Sequence, residues 1–324
     1  MDALSQMLRI LRPERASFFQ AELNAPWRFT APPAVKPPAP SQPGPQQLLL
    51  YYHLVEGNCT LEMEGLAPLV LTSGDVALVP KGDAHSIGSG PQAISCEPVD
   101  LQALLLRQPR QLRTGGSGPA SRLICGYLAC DPALCGQVLS MLPRLASVRV
   151  AQDGQIGALQ AFIVSALAQE SSPQPGAEWV LAKASEMLLA ETLRRHLASP
   201  TRAQDDWLAG LRDHIVGRCL TVMYDRPADK WTLDRLAKEV NTSRSVLALR
   251  FTRLVGQSPM SYLTRWRMTL AADLLYDSSL GLTRIAEEVG YETDTALIRA
   301  FRREFGTPPA AWRRARLAGA NTGQ

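Results

Sequence analysis

The chain has 324 residues, 46% of them hydrophobic, and a formal net charge of +4, enough for two or three domains with ordinary globular cores. Six cysteines in a chain of this length are no disulfide scaffold, and the charged N-terminus MDALSQMLRILRPERA is no signal peptide. No stretch approaches ~18 uninterrupted apolar residues, so a membrane span is set aside and a cytoplasmic protein is expected.

Residues 1–12 read as a short amphipathic helix, and the Pro-rich run at 31–47 as a loop without structure of its own. From Leu48 the pattern turns to short strands: LLLYYHLVEG, CTLEMEG, PLVLTSGDVALVP and HSIGSG. Gly74-Asp75 and Gly82-Asp83 punctuate them as turns. Several short strands at regular spacing predict an antiparallel sandwich or barrel over residues 1–130. Within it, GDVALVPKGDAH (74–85) resembles the second motif of the cupin barrel, through Gly74, Pro80, Gly82 and His85, with Ser89 where that family closes on Asn. The first cupin motif, which supplies two His and a Glu as metal ligands, has no counterpart: His53 is the only upstream histidine. No metal and no cofactor are therefore expected. His53 and His85 are assigned to an effector pocket. Cys59, Cys96, Cys125, Cys130 and Cys135 fall in this half, and Cys219 beyond it, at no standard zinc spacing. The LICGYL run around Cys125 resembles a segment of oxidant-sensing regulators. Cys125 is thus the candidate for redox sensing, against buried thiols that pack as small hydrophobes.

Over 131–200 the period becomes helical. The cleanest helix is AEWVLAKASEMLLAETLRRHLA, with Val180, Leu181, Ala184, Met187, Leu188, Glu191 and Leu193 along one seam. That seam either packs on its own barrel or pairs with a second copy, and a homodimer is expected. His196 and His214 read as surface or helix-end residues. Residues 201–208 form a linker.

The C-terminal part holds an imperfect repeat. LDRLAKEVNTSRSVLALRFTRLVGQSP begins at 233 and LTRIAEEVGYETDTALIRAFRREFGTPP at 282. Leu236 answers Ile285, Ala237 answers Ala286 and Val240 answers Val289. With one residue added to the second turn, Leu247 answers Leu297 and Phe251 answers Phe301. Each copy is a helix, a tight turn and a second helix with basic exposed positions, the pattern of a helix-turn-helix. Asn241 and Gly290 occupy the turn, where left-handed backbone is needed. Ser243 is placed to cap the next helix. The units are expected at about 232–254 and 281–305. Residues 259–276 link them as an amphipathic helix roughly 27 Å long, a separation that suits two successive major-groove segments ~34 Å apart. From residue 201 onward there are 19 Lys+Arg against 14 Asp+Glu, so the basic excess lies here.

These units, the Arg265-Trp266-Arg267 run and the segment from Gly290 to Arg314 resemble the AraC/XylS family of transcription regulators. The resemblance implies that Arg244, Ser245, Ala248 and Leu249 of the first unit, and Asp294, Thr295, Ile298 and Arg299 of the second, face base edges. Ala248, Leu249 and Ile298 suit thymine methyls, and Arg299 suits guanine. Arg250, Arg253, Arg265, Arg302 and Arg303 complete the DNA-binding set, since phosphate binding here relies on placed arginines and helix N-termini.

The expected whole is a two-part α+β protein. A cupin-like antiparallel β-barrel is followed by helices, then by an all-α DNA-binding domain over 209–318 and a disordered tail at 319–324. Its expected function is a DNA-binding regulator at the nucleoid, an activator by family precedent, not an enzyme. Its partners are promoter DNA, a second copy, RNA polymerase if it activates, and a small-molecule effector or oxidant. The alternative is a metal-dependent cupin enzyme fused to a DNA-binding domain.

Overall fold

The computed structural model describes residues 15–33, 47–90, 97–101, 103–104, 111–130, 135–136, 139, 142–149, 155–168, 177–198, 207–277 and 279–320. The helix expected over 1–12, most of the Pro-rich run and the greater part of the linker lie outside them.

Eleven strands are described: β1 (Arg15–Asn24), β2 (Arg28–Ala31), β3 (Gln47–Glu56), β4 (Asn58–Met63), β5 (Leu69–Thr72), β6 (Asp75–Val79), β7 (His85–Gly88), β8 (Val99–Asp100), β9 (Gln111–Gly115), β10 (Ala120–Cys130) and β11 (Ala146–Arg149). They form a six-stranded sheet, β11-β6-β3-β10-β1-β9, and a five-stranded sheet, β5-β4-β7-β2-β8. Three expectations are corrected here. Strands begin at Arg15, not Leu48. Ala146–Arg149, read as helical, pairs with β6 as an edge strand. The strands expected as an antiparallel sandwich or barrel form two sheets, but the pairs β1–β9 and β2–β8 are parallel, not antiparallel.

The six-stranded sheet is buried on both faces, which explains its near-continuous apolar runs. Leu48, Leu50, Tyr52 and Leu54 of β3 join Leu123, Cys125 and Tyr127 of β10 in the core shared with the second sheet. The alternate residues Leu49 and Tyr51, with Ile124 and Leu128, face the other way. That outer face is covered by α1 (Gln155–Ala168) and α2 (Ala177–Ala198), which pack on each other and on β1, α2 also on β11. Ala184, Leu188, Leu189 and Leu193 are the buried side of α2. Val180 and Met187, placed on the same seam by their spacing, are 42% and 58% exposed. The Asp75 carboxylate accepts from Thr72 N at 2.8 Å and from Arg149 Nε at 3.2 Å, tying the β5–β6 turn to β11.

The C-terminal part is all helix: α3 (Trp207–Arg212), α4 (Val216–Asp225), α5 (Leu233–Glu239), α6 (Arg244–Val255), α7 (Pro259–Asp277), α8 (Leu282–Glu288), α9 (Asp294–Phe305) and α10 (Pro309–Ala320). Residues 319–320, expected in a disordered tail, end α10. Trp266, in the middle of α7, is fully buried, its ring centroid 4.3 Å from that of Tyr224. No helix among the described residues is long and apolar enough to cross a membrane.

Candidate functional site

Each of the two C-terminal units is built by the same local devices. Asn241, at φ 54°, is the one non-glycine residue with positive φ among those described, and Gly290 holds the matching turn at φ 82°. The side chains of Thr232, Ser243 and Thr293 accept hydrogen bonds from Arg235 N, Val246 N and Ala296 N, capping α5, α6 and α9. Such caps contribute about 1 kcal/mol each. Ser243 and Thr293 fall one residue out of step with the Asn241–Gly290 pair, which locates the inserted residue inside the second turn. Leu236, Ala237, Leu247 and Phe251 fill the first unit, and Ile285, Ala286, Leu297 and Phe301 the second.

The buried stripes leave the opposite faces of α6 and α9 outward. Arg244, Ser245, Val246, Leu249 and Arg253 are exposed on α6, and Thr295, Arg299, Arg302 and Arg303 on α9. Leu249 is 73% exposed, an apolar side chain that none of the described residues covers. Ala248, Ile298 and Asp294 are half-buried beside them. Arg244 lies 3.6 Å from Asp234, while Asp294 accepts from Thr295 N at 2.6 Å and from its hydroxyl at 3.2 Å.

In the N-terminal domain, Tyr52 and Cys125 are register partners on β3 and β10 and both face the interior. His85 reaches toward them from β7 of the other sheet. Its Nδ1 lies 2.7 Å from the carbonyl oxygen of Asp83, which can only accept, so Nδ1 carries the proton. Nε2 is then an acceptor, and the Tyr52 hydroxyl donates to it at 2.6 Å. Burial lowers the His85 pKa against the opposing pull of Asp83, and burial raises that of Tyr52, so both are neutral near pH 7. The nitrogen that a metal would need is occupied by this bond. Among the described residues, no three His, Cys, Asp or Glu side chains converge into a metal site.

The comparisons agree with this division. The cupin family profile matches residues 2–198, and a helix-turn-helix domain profile matches 236–315. An AraC-like transcription regulator of Streptomyces lividans is 32% identical over 318 residues, covering 97% of this chain and 98% of that one. One of Streptomyces antibioticus is 34% identical over 316 residues, covering 97% and 99%. The chain belongs to the AraC family of transcription regulators. Its family relatives are regulators rather than enzymes. At greater distance it resembles the RCS-specific HTH-type transcriptional activator RclR of Escherichia coli, at 23% identity over 97% of each chain.

As an AraC-family regulator, the protein binds DNA through its helix-turn-helix domain. The structure distributes the residues expected to do so unevenly. Arg250 points back to its own domain: its Nη2 lies 2.5 Å from Asp213 Oδ2, whose other oxygen accepts from Ile215 N and Val216 N at the start of α4. Arg265 Nε meets Glu304 Oε1 at 3.1 Å, joining α7 to α9. Val246, 41% exposed and three residues before Leu249, was left out of the sequence reading, although its helical spacing marks the same face.

The effector group is likewise divided. His53 lies on β3 next to Tyr52, so its side chain points to the opposite face of the sheet from the Tyr52–His85 pair. It is buried, its Nδ1 has no hydrogen-bond partner among the described residues, and burial lowers its pKa to about 4. Cys125 is wholly buried and its thiol pKa is raised, first by burial and then by Cys59, which opposes the thiolate that oxidation needs. His196, read as a surface or helix-end residue, ends α2 but is buried, with Nδ1 3.3 Å from the carbonyl oxygen of Ser147.

Proposed function

We propose that this regulator responds to a small molecule taken up by its N-terminal domain (1–130), transmits the response through the helices of 131–200, and binds promoter DNA as a homodimer through 209–318. RNA polymerase is its further partner if it activates. The observation that carries the choice of signal is the state of the thiols: all five described cysteines are buried. The alternative signal is an oxidant acting on Cys125. The exposed Val180 and Met187 of α2, with Phe162 of α1 at 45%, support the dimer surface.

The set Arg244, Ser245, Ala248, Leu249, Asp294, Thr295, Ile298 and Arg299 reads bases in this proposal, with Arg253, Arg302 and Arg303 on phosphates. A signal acts only through a difference in DNA affinity between two states. Footprinting the full chain on the DNA flanking its gene, with and without oxidant, tests the reading. A discrete footprint indifferent to oxidant supports it. A footprint that shifts with oxidant and reverts with thiol rejects the small-molecule signal.

A further inference from the structure

The segment between α4 and α5, residues 226–231, is held by both helix-turn-helix units. On the first unit's side, Trp231 Nε1 donates to Arg226 O at 2.8 Å, and Arg235 of α5 donates to Lys230 O at 2.5 Å. Arg226 lies 2.5 Å from Glu239, and the guanidinium groups of Arg226 and Arg235 lie 4.9 and 5.3 Å from the Trp231 ring centroid. On the second unit's side, a Cβ placed on Gly290 would come within 2.7 Å of Ala228 Cα and 2.8 Å of its carbonyl oxygen. The turn of the second unit therefore rests directly on the backbone of this segment. Lys230 Nζ meets Glu292 Oε1 at 2.6 Å beside that contact.

Arg267 of the linking helix α7 joins the pieces. Its Nε donates to Pro227 O and its Nη2 to Asp229 O, both at 2.8 Å, and its guanidinium lies 5.9 Å from the ring centroid of Tyr291, which follows Gly290. One planar, charged fork thus satisfies two carbonyl oxygens of the segment while facing the turn of the second unit. A helix alone joins two units through its own two ends; here a second, lateral path closes the triangle.

We propose that residues 226–231 act as a strut that fixes the separation of the two units, with Arg267 as its positioning residue, so that the protein selects DNA by the spacing between two boxes. The proposal rests on the reading that both units contact DNA.

The test uses the full chain and a duplex that the wild-type protein selects from a randomised pool, remade with one base pair inserted or removed between the two protected segments. The wild type is expected to bind the altered duplexes about tenfold or more weakly, a change of about 1.4 kcal/mol. In Arg267→Met that ratio falls to about threefold or less, and Arg267→Lys, which lacks the planar fork, lies between. If Arg267→Met does not fold, Lys230→Glu decides: it sets two carboxylates together at exposed positions and narrows the ratio, and adding Glu292→Lys restores it. Folded variants that weaken binding to every spacing equally overturn the strut. A wild type that binds the selected duplex but ignores spacing overturns it too. Failure to select any two-box duplex overturns the underlying reading and the strut with it.

Discussion

The Tyr52 hydroxyl donates to Nε2 of His85 across the two sheets of the N-terminal domain, at 2.6 Å and out of contact with water. In Tyr52→Phe the His85 acceptor stays buried without a partner, which costs about 1–3 kcal/mol. Urea denaturation of the variant should show a midpoint below that of the wild type with an unchanged slope. An equal midpoint would mean that water or another donor takes the place of the hydroxyl.

His53 gives the protein an acid limit. Its folded-state pKa is about 4, below the ~6.5 of an exposed histidine, so the unfolded chain takes up the proton first. Stability should be level between about pH 7 and 8 and fall between about pH 6.5 and 4, with His53 contributing up to about 1.4 kcal/mol per pH unit. His85 shifts in the same direction and adds to the fall. Glu191, lowered to about 2 by hydrogen bonds from Arg194 and then Arg195, adds to the fall only below about pH 4.5, at the acid end of that window. His53→Leu should therefore flatten, without abolishing, the decline in denaturation midpoint from pH 7 to pH 4.5.

The buried thiols predict slow chemistry. Burial pushes Cys59 and Cys219 up to about 12, Asp75 adding to the effect at Cys59, and Cys125 rises as well. Iodoacetamide at pH 7.5, followed by peptide mass spectrometry, should leave Cys59, Cys125, Cys130, Cys135 and Cys219 unmodified in the native protein and label all five in urea. Rapid native labelling of Cys125 would restore it as a sensor.

The proposed function gives two arginines of α9 different roles, base reading for Arg299 and charge for Arg302. Among the described residues, no hydrogen bond or ion pair engages the side chain of Arg299 or Arg302. Arg299→Ala is expected to lose about 1–3 kcal/mol at one base position and relax specificity there. Arg302→Ala should weaken binding to all sequences alike and reduce the salt slope by about 1. Competition binding on single-base variants of a selected duplex distinguishes them; the same pattern for both substitutions would reject the division.

The turn glycines differ in what surrounds them. Gly306 has open space where a Cβ would go, so Gly306→Ala meets only the strain of its positive φ, about 1 kcal/mol. Gly290→Ala meets that strain and the Ala228 backbone. Its loss of thermal stability should be the larger, and equal losses would place the segment of Ala228 away from the turn.

The helical domain was legible because its repeat carries its own proof: the apolar spacing, the turn residue and the terminal glycine all recur, and local physics suffices for each. β1 and β2 were missed because the Pro-rich run that follows them looked like the approach to the first strand. Ala146–Arg149 overlaps the end of the run PALCGQVLSMLPRLASV, whose apolar spacing is helical, and its pairing with β6 decides otherwise. The separation of His53 from His85 was hidden for a related reason. LLLYYHLV is almost continuously apolar, broken only by His53, so no alternation tells which residues face which side. Arg250 looked like its basic neighbours on α6, since the Asp213 that holds it comes 37 residues earlier.

The two units follow one another as a tandem, and what they expose differs: Ser245 and Leu249 on one, Thr295 and Arg299 on the other. A palindromic site reads the same from either end, but a pair of unlike boxes does not. One chain seated on such a pair has a head and a tail along the duplex, with its N-terminal domain carried to a defined side. Reversing the boxes relative to a gene would keep the affinity and turn the bound protein to face the other way.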